Sequence, residues 1–349
     1  MLDTKSKVAV YMEDHIDSDY GKMGMGVVRY LKNPIVGIVD SKFAGKNINS
    51  IAEFNDVSKD ITIYKNLAEV IRKGAEVLIL GIAPSGGRIP ESWNSVINEA
   101  LDSGLSIVNG LHDLLEPRWR HKIKDKNTQW IWDVRLPQFT PVIATGKAAN
   151  LNNKRVLFIG TDMAVGKMTS GLELYEDLLK RKVNVGFIAT GQIGITITGK
   201  GIPLDAFKLD HACGAVEKIV LEESNKEILI IEGQGSILHP GSSATLPLMR
   251  GSCPTHLVLC IRADKTTLRS PENIQIPDIN KFIALNESLA TVLGTYPKSS
   301  VIGICANTSM LAKNKALDFI ESLSIKTGIE VTDPVRFGMT EISKLLLKD

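Results

Sequence analysis

Gly166 and Lys167 stand in the stretch LFIGTDMAVGKMTS, residues 157–170. A glycine-lysine pair between an apolar run and a helical pattern is a setting in which a chain grips phosphate. Backbone N–H groups and a helix N-terminus surround the anion, and the lysine adds a point charge. The standard spacing is Gly, four residues, Gly-Lys, then Ser or Thr. Here Thr161 and Met168 hold the first and last of those positions, and Gly160 and Thr169 each lie one place outside. Phosphate contacts are expected from Gly160, Thr161, Asp162, Val165, Gly166, Lys167, Met168 and Thr169. Gly166 is expected to be left-handed. Asp162 either orients the loop or a metal-bound water, or caps the following turn.

Met168 alters the chemistry. In magnesium-nucleotide enzymes the residue after the lysine offers a hydroxyl to the metal. A thioether is a poor magnesium ligand. Thr169 lies about 100° further round the helix and does not simply substitute. The loop therefore suits a ligand held by its phosphates but not cleaved there. Acetyl-CoA, which carries a phosphorylated ADP moiety, is such a donor. ATP is the alternative, and magnesium stays open with it.

Other residues could act on a bound substrate. In EGQGSILHP (232–240), His239 follows Glu232 by seven positions. Transfer to an amine needs a base to take the ammonium proton, and a histidine near pH 7 suits this, so Glu232 and His239 are the catalytic candidates. Gln192, in ATGQIGI (189–195), is a substrate-binding candidate, or part of a plain turn. Asp205 could hold a substrate amine. Arg250 could pair with a substrate carboxylate through its planar fork, or be a surface charge. His211 is read as structural. In the first half, GKMGMG (21–26) lies about nine residues after its strand and misses the dinucleotide fingerprint. Asp40, Gly86, Gly87, Arg88 and Asp113 are weaker candidates there, and that half reads chiefly as a packing partner.

The elements that must position these groups alternate. Strands are expected at 8–12, 34–40, 61–64, 75–83 and 105–110, with helices at 24–31, 66–74, 92–104 and from 112. Strands separated by helices imply an α/β fold: a Rossmann-like parallel sheet with helices on both faces. Residues 128–154, with Pro137 and Pro141 and a polar run, break the rhythm. The boundary is placed near residue 150, giving a Rossmann-like domain over 1–150 and a P-loop nucleotide-binding α/β domain over 151–349. The second domain is expected to have strands at 155–160, 183–190, 226–236, 255–264 and 300–309. Its first helix is read over 168–182, a last strand over 325–338 and a terminal helix over 339–347.

The 349 residues carry a net charge of +2 and only 5% aromatics, giving no electrostatic or stacking case for nucleic acid or a membrane surface. No apolar run approaches the roughly 20 residues of a membrane span. The N-terminus lacks a signal-peptide pattern. The four dispersed cysteines read as reduced core thiols of a cytoplasmic protein. The expected partner is a small molecule. Oligomeric state is open, a homo-oligomer included.

GTDMAVGKM (160–168) resembles the GTDTxVGKT loop of dethiobiotin synthetases. In those enzymes a strand ending Glu-Gly-x-Gly brings its glutamate near magnesium, and a strand-end asparagine reads the purine. The resemblance gives those roles to Glu232, as a metal residue, and to Asn307, as a nucleotide-binding one. The whole chain, by GTDMAVGK, ATGQIGI and EGQGSILHP, resembles a narrower family: the D-glutamate N-acetyltransferase-like (DgcN-like) proteins, long described as a domain of unknown function. That implies acetylation of the amine of a small acidic amino acid. The dethiobiotin synthetase likeness implies an ATP-dependent ligase that activates a carboxylate. A nucleotide sensor without turnover is a third possibility.

Overall fold

A computed structural model describes residues 2–51 and 60–348. The chain divides into two compact units, Met1–Pro137 with Gln192–Pro203, and Gln138–Gly191 with Leu204–Asp349. Both are parallel α/β sheets.

In the first unit the strands are β1 (Val8–Tyr11), β2 (Ile35–Val39), β3 (Ile63–Tyr64), β4 (Val77–Leu80), β5 (Ser106–Asn109) and β6 (Ile131–Asp133). They lie in the order β3-β2-β1-β4-β5-β6, all parallel. β1, β4 and β5 are buried along their whole length, as strands covered on both faces must be. The crossover helices are α1 (Lys22–Tyr30), α2 (Leu67–Arg72), α3 (Asn94–Asp102) and the short α4 (Glu116–Trp119). Asn66 caps α2 through the Glu69 N–H. Trp93 seats edge-on to Tyr11 at 5.3 Å in the core beside β1 and β4. The GKMGMG run opens α1, where the Gly24 N–H donates to the Gly81 carbonyl at 2.7 Å.

The second unit has β7 (Lys154–Gly160), β8 (Val185–Ile188), β9 (Ile228–Ile231), β10 (His256–Arg262), β11 (Ser300–Asn307) and β12 (Val331–Thr332). The order is β12-β11-β10-β7-β9-β8, again parallel, so the strand feeding the glycine-lysine loop is central. Between them run α5 (Lys167–Lys180), α7 (Leu209–Glu222), α8 (Thr245–Ser252), α9 (Ile279–Thr291), α10 (Lys313–Thr327) and α11 (Thr340–Lys348). The remaining helix, α6 (Gln192–Thr198), belongs to the first unit, although it follows β8 in the chain.

Two local structures differ from the sequence expectations. Within 128–154 the chain forms β6, pairing with β5, before its prolines intervene. Residues 325–338 contribute only Val331 and Thr332 to the sheet, because α10 runs to Thr327 and ends on left-handed Gly328. Arg155 anchors the start of β7. It is fully buried and donates to the carbonyls of Leu151, Asn153, Ser252 and Cys253. Buried Glu217 on α7 accepts the N–H groups of Thr145 and Lys147, fixing the chain ahead of that strand.

Candidate functional site

β7 ends at Gly160 and α5 begins at Lys167, so residues 161–166 form a strand-to-helix loop at the carboxyl end of a parallel sheet. That edge is where open α/β sheets bind ligands. Gly166 has φ of +99°, the left-handed turn that starts the helix, and L side chains disfavour it. Val165 is buried and anchors the loop from below. The Thr161 N–H donates to the Cys260 carbonyl at 3.1 Å, while its buried hydroxyl has no partner among the described residues.

Lys167 is 4% exposed. Its Nζ donates to the carbonyl oxygens of Asp162 at 2.7 Å and Met163 at 2.9 Å, inside the concavity of its own loop. Burial pushes its pKa down to about 8, opposed by Cys260, Asp162 and Glu232. Met168 and Thr169 are half-buried on the first turn of α5.

Glu232, one residue past β9, is 2% exposed. Its Oε2 accepts the N–H groups of Thr190 at 2.8 Å and Gly191 at 3.2 Å, and its Oε1 accepts Gln234 Nε2 at 3.2 Å. The Thr190 hydroxyl donates back to the Glu232 carbonyl at 2.8 Å, stitching the ends of β8 and β9. Burial raises the Glu232 carboxyl to about 7, with those hydrogen bonds and Lys167 limiting the rise. The site thus pairs a lysine whose pKa is pushed down with a carboxyl whose pKa is pushed up, which makes it a candidate functional site.

Gly233 explains why the strand end needs glycine. A Cβ there would stand 1.6 Å from the Phe158 carbonyl oxygen and 3.0 Å from Lys167 Cδ. Gly233→Ala must displace β7 or the Glu232 turn, and is expected to cost about 2–3 kcal/mol. Urea denaturation of the purified variant measures it.

Asp162 is buried and holds two backbone donors. Its Oδ1 accepts the Met163 N–H at 2.6 Å and its Oδ2 accepts the Arg269 N–H at 2.7 Å. The carboxylate therefore ties the loop to a segment 107 residues away. His239 meets the same segment: its Nε2 lies 2.6 Å from the Ser270 carbonyl, and its Nδ1 accepts the Gly241 N–H at 3.0 Å. With Nδ1 accepting, Nε2 carries the proton, so both ring nitrogens are engaged. For His239 to act as a base, the Gly241 N–H must first let go.

The remaining candidates are dispersed. Asn307, at the end of β11, accepts the Ser309 N–H on its Oδ1 at 3.1 Å and its backbone carbonyl accepts from Ala263. Arg250, on α8, lies over the Tyr296 ring at 5.4 Å, and its buried Nη1 has no partner among the described residues. A carboxylate would satisfy such a group. Asp205 is exposed in a single turn of 3-10 helix. Gln192 opens α6 in the first unit, where its Cγ lies 3.2 Å from the place a Cβ on Gly110 would take. Of the first unit's weaker candidates, Asp40 is buried and caps the turn after β2 by accepting from Lys42 and Phe43. Asp113 accepts the Ile89 N–H at 2.9 Å.

Several organising residues escaped sequence reasoning. Thr190 and Gln234 stand inside quoted motifs, and their partnership with Glu232 needs the strand order to be known. Buried Thr308 and Asp333 and half-buried Arg336 form a network after β11: Asp333 accepts the Thr308 N–H and hydroxyl, and Arg336 Nη1 donates to the Leu311 carbonyl at 2.8 Å. No local signal marks them.

Magnesium fits this donor set poorly. The position after the lysine offers sulfur, and the Glu232 carboxylate already receives three protein N–H groups. Among the described residues, no three His, Cys, Asp or Glu side chains gather as a metal-binding group, and no helix is long and apolar enough to cross a membrane.

Residues 142–343 match a domain of unknown function described as the DUF1611 P-loop domain, and residues 41–137 match its Rossmann-like N-terminal domain. A protein of a Pseudoalteromonas species called D-glutamate N-acetyltransferase is 36% identical over 279 residues, covering 79% of this chain and 83% of that protein. One of the same name from Tritonibacter scottomollicae is 30% identical over 332 residues, covering 94% and 95%. The crystal structure of a DUF1611 family protein from Anabaena variabilis superposes with a TM-score of 0.93 at 38% identity, over 99% of this chain and all of that one.

Proposed function

The chain belongs to the DUF1611 family, and from that premise we propose that it is an N-acyltransferase that moves an acetyl group from coenzyme A to the amine of a small acidic amino acid of the D-glutamate class. The name shared by the two relatives supports the acceptor and the reaction. The observation that carries the donor is the loop itself. It has the lysine, the left-handed glycine and the helix start of a phosphate grip, while Met168 withholds the hydroxyl that magnesium-dependent cleavage uses.

In this reading the phosphates of the donor displace the Asp162 and Met163 carbonyls as partners of Lys167. Glu232 takes a proton from the substrate ammonium, and the freed amine nitrogen attacks the thioester carbonyl. The carbon–sulfur bond breaks, Glu232 returns its proton to the departing thiolate, and the second proton of the nitrogen leaves to solvent as the amide forms. An acid with a pKa of about 7 is matched to that shuttle at neutral pH. Arg250, whose buried Nη1 has no hydrogen-bond partner among the described residues, takes a substrate carboxylate. Gln192, Asp205 and His239 remain substrate-side candidates, and Asn307 a base-side one. The four unpaired cysteines suit a reducing compartment, so we place the protein in the cytoplasm, acting on small molecules.

Mixing the protein with acetyl-CoA and D-glutamate and titrating free thiol tests this. Thiol release that requires the amino acid is expected, and none with any acidic amino acid overturns it. The position of Glu232 beside Lys167 favours one other reading, ATP-dependent activation of a carboxylate, with Glu232 as a metal residue. The two readings part at Met168. Met168→Thr is expected to make ATP binding about tenfold tighter with magnesium than without, as the loop regains a metal hydroxyl. Titration of ATP with magnesium and with a chelator measures it. A wild type that already releases ADP with magnesium would favour the ligase.

A further inference from the structure

We propose that Arg269 is a second phosphate-binding cation of the loop, held in place by Asp162 and His239, and that it lets the site take a diphosphate without a metal ion. The inference rests on the donor reading above, because it names a residue of that same site.

A diphosphate brings several negative charges to a loop whose own cation is Lys167. Magnesium normally shares that load, and here the residue after the lysine has no oxygen to offer it. A second fixed cation answers the same need, and arginine's planar fork grips phosphate oxygens in pairs.

The chain places one beside the loop by two long-range ties. Asp162 Oδ2 receives the Arg269 N–H at 2.7 Å. His239 Nε2 donates to the Ser270 carbonyl at 2.6 Å, with its tautomer fixed by the Gly241 N–H on Nδ1. Leu268, next in the chain, is fully buried. The Leu268 N–H donates to the Ile274 carbonyl at 2.9 Å, and the Ile276 N–H to Thr266 at 2.8 Å, closing the segment on itself. Arg269 thus has its backbone held from the phosphate loop, its neighbours held below and beside it, and its own side chain exposed.

The same geometry accounts for both tethers. A carboxylate facing backbone N–H groups at the rim of a phosphate loop repels the anion it borders, so its presence needs a compensating reason. Spent on the Arg269 and Met163 N–H groups, the Asp162 carboxylate holds the backbone of Arg269 against the loop. His239, in the EGQGSILHP segment, serves as the opposite clamp. Both are positioning residues here.

Calorimetric titration of coenzyme A and of ADP, each with a chelator present, tests this on the wild type, Arg269→Ala and Arg269→Lys. Wild type is expected to bind both without metal. Arg269→Ala is expected to weaken both by about 10- to 100-fold, the range for losing a charge-assisted contact, with an unchanged melting temperature of the free protein. Arg269→Lys should fall between them. Asp162→Ala should weaken binding likewise and Asp162→Asn, which keeps an acceptor, should restore much of it. The KM for the amino acid should not move. Unchanged affinity in a folded Arg269→Ala, or wild-type binding that the chelator abolishes, overturns the proposal, as does a wild type that binds neither ligand. A wild type that binds coenzyme A and yet makes no acetylated product sinks the transferase reading alone, and the loss of affinity on removing Arg269 would still stand.

Discussion

Lys167→Ala is expected to lower affinity for coenzyme A by at least about 100-fold, the largest single effect on binding in the molecule. The lysine is buried inside its loop, with its Nζ on two carbonyls that a bound phosphate would replace. Removing it leaves an anion facing those carbonyls with no cation behind them. The apoprotein should stay folded, because alanine leaves the Gly166 turn and the helix start intact. Calorimetry on wild type and variant reads the loss. A variant that binds coenzyme A normally would place the donor elsewhere.

Glu232→Gln separates chemistry from binding. The amide keeps an oxygen for the Thr190 and Gly191 N–H groups, so the strand-end turn survives. It cannot take a proton. The turnover number is expected to fall by about 100- to 10,000-fold, the range for a general base. Affinity for the donor should hold or tighten, since a negative charge has left the neighbourhood of the phosphates. The pH profile gives a second readout with a fixed sign. Glu232 must lose its proton to act, so activity rises with pH through about 7. Lys167 must keep its proton to hold the donor, so the donor-limited rate falls as pH rises through about 8. The kcat/KM for the donor is therefore expected to be bell-shaped, with its limbs belonging to the coupled pair, and Glu232→Gln should remove the rising limb. A turnover number unchanged in the variant would remove Glu232 from the proton path.

Much of the fold was legible because its strongest signals are local. VAVY, VLIL, LFIG and ILII are unbroken apolar runs, which in a parallel sheet are buried on both faces. Glu232 follows β9 and Asn307 ends β11, so the same runs fix where both stand in the fold. What local pattern missed is short or borrowed. β6 is three residues with one buried side chain, too little for a periodicity to show. The strand expected at 325–338 shrank to Val331 and Thr332 because α10 runs through its first three residues and ends on left-handed Gly328.

The chemistry was legible in part for a similar reason. The loop lysine and its glycine are neighbours in sequence, and the left-handed turn and helix start they form are local too. The partners that set their behaviour are not. Thr190, 42 residues from Glu232, fixes that carboxylate, and the backbone N–H of Arg269, 107 residues from Asp162, donates to the loop's own acid. Gln192 stands one residue from Gly191 in the chain, yet packs in the first unit. The assignment of Gln192 to a unit is decided by where the chain turns after β8, which composition does not encode.

One measurement tests the account most directly. Wild type and Lys167→Ala are incubated with carbon-13-labelled acetyl-CoA and D-glutamate in a metal chelator, and the products are followed by NMR. N-acetylated amino acid and free coenzyme A in equal amounts from the wild type, with Lys167→Ala inactive at the same donor concentration, are the expected result. No labelled amide from any acidic amino acid, or equal activity in Lys167→Ala, would contradict the assignment of the loop to an acyl donor.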